Sequence, residues 1–117
     1  MKERGRLWHV TITLSGEPRD PDVVRTALEQ LQEERPFLHS LRYETTGAEI
    51  QYWEEAHGML DAASLALRVW NEHRASCGLP QWEVVGLEVL ERDTFQRRAH
   101  LRTPGAMGIS GAPPRPL

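Results

Sequence analysis

At 117 residues, with 39% hydrophobic and 26% charged side chains and a formal net charge of −3, the chain has the size of one small soluble domain. It contains no run of roughly 18 apolar residues, which excludes a membrane-spanning helix. Cys77 is the sole cysteine, which excludes an internal disulfide and a cysteine-rich zinc site.

The first periodic segment is Leu7-Trp8-His9-Val10-Thr11-Ile12-Thr13-Leu14. Trp8, Val10, Ile12 and Leu14 share one face and His9, Thr11 and Thr13 the other, which predicts a half-buried strand. Asp20-Pro21 then reads as a helix start, an N-cap acceptor followed by proline at the first helical position. Val24, Ala27, Leu28 and Leu31 recur at helical spacing. Arg35-Pro36 stops that helix, because a residue before proline avoids the α region.

Alternation returns at residues 37–44. Phe37, His39, Leu41 and Tyr43 are placed on the apolar face, and Leu38, Ser40, Arg42 and Glu44 on the other. Thr45-Thr46-Gly47 is a turn. Residues 48–54 follow as a strand, with Ala48, Ile50 and Tyr52 facing one way and Glu49, Gln51 and Trp53 the other, so the two segments predict an antiparallel hairpin. Asp61 reads as the cap of a second helix running to about His73, closed by Gly78 and Pro80. Residues 82–91 form a fourth strand, with Val85, Leu87 and Val89 as its apolar set. Asp93-Thr94-Phe95 opens a short basic helix.

The order β-α-β-β-α-β predicts an α+β, ferredoxin-like sandwich, a four-stranded antiparallel sheet with two helices on one face. A single domain is expected over residues 5–102. Residues 103–117 hold three glycines and four prolines, and are expected to be a disordered tail. Charge divides the same way. Residues 1–91 carry nine basic and sixteen acidic side chains, and residues 92–117 five and one.

The stretches Trp8-His9-Val10-Thr11-Ile12, Glu34-Arg35-Pro36-Phe37-Leu38, Ala48-Glu49-Ile50-Gln51-Tyr52-Trp53-Glu54-Glu55 and Glu72-His73-Arg74-Ala75-Ser76-Cys77-Gly78-Leu79-Pro80-Gln81-Trp82-Glu83 resemble a group of small proteins of high-GC actinobacterial type. No activity is known for that group, so the resemblance implies no function, and the predicted fold implies none either.

Function is therefore sought on the sheet face that the two helices leave bare. The alternation places His9, Thr11, Arg42, Gln51, Trp53, Val84 and Glu88 there, a polar surface with one aromatic near its middle. The expected role is a non-catalytic binding module that forms a homodimer face to face, with Trp53 and Val84 in the contact. The alternative is a small-molecule or acid–base site, with Trp53 as a stacking wall and a His9–Glu88 pair as base and orienting acid. Nucleic acid is not expected on a body this acidic, and the face lacks the paired aromatics of an RNA-binding sheet. No catalytic residue, cofactor or metal is assigned. Glu54-Glu55-Ala56-His57 reads as a solvated cluster, and Cys77, at the C-terminal end of a helix, as an inert thiol. The charged N-terminal residues lead into no apolar segment, so a cytoplasmic location and no membrane partner are expected.

Overall fold

The computed structural model describes residues 5–102 and 113–117. In chain order the elements are β1 (Arg6–Ser15), α1 (Pro21–Glu34), β2 (Leu38–Glu44), β3 (Gly47–Ala56), α2 (Met59–His73), β4 (Glu83–Glu91), α3 (Arg92–Arg102) and β5 (Arg115–Pro116). The sheet order is β4-β1-β3-β2-β5, with β2 and β5 parallel and the other neighbours antiparallel. The expected four-stranded antiparallel ferredoxin-like sandwich is thus corrected. Among the described residues there are three helices and a mixed five-stranded sheet.

Two local events make the difference. Arg115 and Pro116 lie against Arg42 and Tyr43, and the Leu117 N–H donates to the Tyr43 carbonyl at 2.8 Å. Proline is tolerated in this outermost strand because it need not donate inward. Of the expected tail, residues 103–112 lie outside the described residues, while its last residues pair with the sheet. The second event is α3, which follows β4 with no intervening loop and turns onto the sheet face opposite α1 and α2.

β1 and β3 alternate as their sequences predict. Val10, Ile12, Leu14, Ala48, Ile50 and Tyr52 are buried on the helix side, where they meet Val24, Ala27, Leu28 and Leu31 of α1 and Ala66, Val69 and Trp70 of α2, while Trp8 packs in a separate cluster with Ala56 and Ala62. The Asp20 carboxylate accepts from the Asp22 N–H at 2.9 Å and caps α1 beside Pro21. α2 begins earlier than Asp61 predicts. Gly58 is its N-cap, and Asp61 lies in its first turn, where a negative charge faces the helix's positive end. The three core indoles each donate to a backbone carbonyl: Trp8 to Ala56, Trp70 to Trp82 and Trp82 to Glu17, at 3.0, 2.9 and 3.1 Å. Gly16 is required by close approach, because a Cβ there would run into the Trp82 ring.

β2 and β4 depart from simple alternation, each through one extra residue. In β2 the register steps from Leu38 opposite Tyr52 to Ser40 opposite Gln51, leaving His39 without a partner. In β4 it steps from Gly86 opposite Thr13 to Val84 opposite Leu14, leaving Val85 extra. An inserted residue of this kind reverses which face the neighbouring side chains occupy. Leu38, rather than Phe37, therefore enters the core, and His39 leaves it. Val84 packs against the core while Val85 is exposed.

Candidate functional site: a histidine pair beneath the third helix

The sheet face opposite α1 and α2 begins with β1 and β3, whose central register sets His9 opposite Trp53 and Thr11 opposite Gln51. Their rings touch edge to face, with centroids 5.0 Å apart. The irregularity in β2 turns His39 onto the same face, so that its Nε2 lies 3.0 Å from the His9 Nε2. Both histidines are buried, at 2% and 7% exposure. α3 closes the patch from above. Phe95 stacks on the His9 ring at 3.8 Å and 23°, and meets Trp53 edge-on at 5.0 Å and 83°.

The protons of the pair follow from its geometry. Two imidazole nitrogens at hydrogen-bond distance share one proton between them. One ring therefore carries hydrogen on Nε2 and leaves a bare Nδ1; the other accepts at Nε2 and carries hydrogen on Nδ1. Neither His9 Nδ1 nor His39 Nδ1 has a partner. The pair thus buries one unpaired acceptor and one unpaired donor. Burial pushes the His9 pKa down to about 4, with the neighbouring His39 adding to the shift, and burial lowers His39 as well. Both rings are neutral at neutral pH.

The described side chains of α3 give it a small contact with the sheet. Among its described side chains only Thr94, Phe95 and Ala99 are partly covered. The helix has no continuous apolar stripe, and its contact with β4 includes an exposed Arg98–Glu88 pair at 3.8 Å, a kind worth at most about 1 kcal/mol. Burying half of a phenylalanine and stacking it on a ring contributes about 1–3 kcal/mol. Each unpaired buried nitrogen costs about 1–3 kcal/mol.

The residues expected on this face divide accordingly. His9, Thr11, Gln51 and Trp53 lie on it by register, with Arg42 beside Glu49 and Glu88 beside Thr11. Val84 lies on the opposite face, so one sheet-face contact cannot include both Val84 and Trp53. The anticipated His9–Glu88 pair does not form, because the His9 Nε2 faces His39 while Glu88 meets Arg98. His39 and Phe95 were not singled out as site residues. Phe95 carries a legible signal, being the only Phe, Trp or Tyr in residues 92–117. His39 carries none, because its position depends on strand pairing.

This stretch has relatives. The chain belongs to the family described as a domain of unknown function (DUF8830), whose model matches residues 7–105. The match spans β1 to α3, so the helix over the histidine pair lies within the family's domain. No curated protein and no solved structure matches the chain.

The remaining titratable groups of note lie outside this patch. His73 donates from Nδ1 to Glu34 at 2.9 Å and accepts at Nε2 from the Arg35 Nε at 2.8 Å, tying the C-terminal ends of α1 and α2 together with both ring nitrogens engaged. Burial, reinforced by Glu54, raises the Tyr52 phenol, whose hydroxyl has no partner. Cys77 is buried and burial pushes its thiol up, away from a nucleophile's range. No three metal-ligating side chains converge among the described residues. A cleft of about 450 Å³ lies between the ends of β1, β3 and β4, but its Arg6 is bound to Glu91 at 3.0 Å. No described helix is long and apolar enough to cross a membrane.

Proposed function

We propose that the chain is a non-catalytic binding module that binds with the sheet face opposite α1 and α2, next to α3. The observation that carries this reading is the His9–His39 pair, two buried imidazoles with unpaired nitrogens beneath a helix whose described side chains make a small contact with the sheet. A buried polar group without a partner is costly, and such groups cluster where a second state or a ligand satisfies them. Catalysis is disfavoured because the pair lacks an orienting carboxylate. Self-association through this face is disfavoured because Trp53, its one large aromatic anchor, already touches Phe95.

The test is a fragment screen read by amide chemical shifts on the full chain, with light scattering of the same samples. The expected result is a monomer whose hits shift β1, β3 and α3 together. Hits confined to the cleft around Glu55 and Asp93, or no hits, would overturn the reading. A dimer whose shifts map to this face would replace it with self-association.

A further inference from the structure

Phe95 shows what the patch accepts. Its ring lies flat on His9 and edge-on to Trp53, and the His39 ring lies 5.1 Å from His9. Two rings thus wall the position of a third, and that position is filled by a side chain of a helix whose other described side chains are mostly exposed. We propose that His9 and Trp53 form a slot for a free planar aromatic molecule, and that Phe95 is an internal occupant which that molecule displaces as α3 lifts. This rests on the binding-module reading and adds to it the ligand class and the gate.

One feature favours displacement. While Phe95 is docked, neither Nδ1 has a partner. Lifting α3 exposes the pair to water or to a polar ring edge, which removes that penalty. The stack itself is indifferent to the ring's identity, because every planar ring has a π-face to lay on His9 and a rim to meet Trp53. A tethered occupant lowers the apparent affinity of a free one by the fraction of time the slot stays open.

The test uses indole and adenine as planar probes and cyclohexylmethanol as a non-planar control. Each is titrated into the full chain and into Phe95→Ala, following the Trp53 indole and His9 imidazole signals. Phe95→Ala, which removes the internal occupant, is expected to bind the planar probes about tenfold more tightly than the parent chain. Phe95→Trp keeps a ring in the slot and is expected to bind no better than the parent. It also guards against a misfolded alanine variant, since the indole signals of Trp8, Trp70 and Trp82 report an intact core. Equal affinity in the parent and Phe95→Ala overturns the gate. Equal binding of cyclohexylmethanol overturns the planar-ring assignment. Shifts on Thr11, Gln51 and Glu88 that bypass the slot leave the binding module standing and remove this inference, whereas no shift on the face with any probe removes both.

Discussion

The two faces of this sheet solve the same problem in opposite ways. On the helix side, Trp70 and Trp82 are the largest fully buried side chains, and the N–H groups of Trp8, Trp70 and Trp82 each reach a carbonyl within 3.1 Å. On the other side, two histidines are buried almost as deeply, yet satisfy only one nitrogen each. An interior built for stability leaves few polar atoms unpaired. The helix side meets that standard apart from the Tyr52 hydroxyl, and the patch beneath α3 does not. The helix side reads as the part that makes the domain fold, and the patch as the part free to change state.

That contrast can be broken experimentally, most severely from the helix side. Trp70→Ala removes a fully buried ring and its bond to Trp82. It is expected to cost about 3–5 kcal/mol in urea unfolding, a large share of a small domain's stability. A loss under about 1 kcal/mol would mean that Trp70 is not a core anchor.

Acid probes the other face. In the unfolded chain a histidine takes up its proton near pH 6.5, whereas His9 in the fold resists it until about pH 4. Between those values the unfolded state binds more protons, so stability is complete above pH 6.5 and falls as the pH drops toward 4. The expected loss from His9 is roughly 3 kcal/mol across that window. The double variant His9→Leu with His39→Leu should flatten this part of the profile. At pH 7 it should be as stable as the parent or more so, because replacing both members of an unsatisfied pair with apolar groups removes their penalty. A parent profile without the acid slope would show that the two histidines are already wetted.

Phe95→Ala should cost about 1 kcal/mol or less globally while abolishing hydrogen-exchange protection in α3. Loss of protection in β1 and β3 as well would tie α3 to the core and dissolve the distinction drawn above. The smallest effect is expected from Arg98→Ala, about 0.5 kcal/mol or less at low salt and nothing measurable at high salt.

How much of this was legible in the chain depended on whether a residue's neighbours in sequence set its position. β1 and β3 carry unbroken alternation, so His9, Thr11, Gln51 and Trp53 could be assigned to their face directly. α1 was equally plain, with Asp20-Pro21 at one end and Arg35-Pro36 at the other. β2 and β4 each hold one extra residue, and nothing in Leu38-His39-Ser40 or Val84-Val85-Gly86 marks it. The apolar patterns of Phe37-His39-Leu41-Tyr43 and Val85-Leu87-Val89 pointed to the wrong face on one side of each irregularity. Alternation alone therefore places His39 in the core and Val84 on the surface. A strand of two residues has no period to detect, which is why β5 was read as tail.

The sequence by itself determined the order of the elements up to the basic helix, the faces of β1 and β3, and the apolar surface that α1 and α2 cover, because these follow from local periodicity and capping. The tertiary structure alone decided that His39 turns to meet His9, that Val84 turns inward, and that Phe95 folds back onto the bare face. Each of those depends on strand register or on a contact between distant segments, and a side chain's face in a sheet reverses with a shift of a single residue.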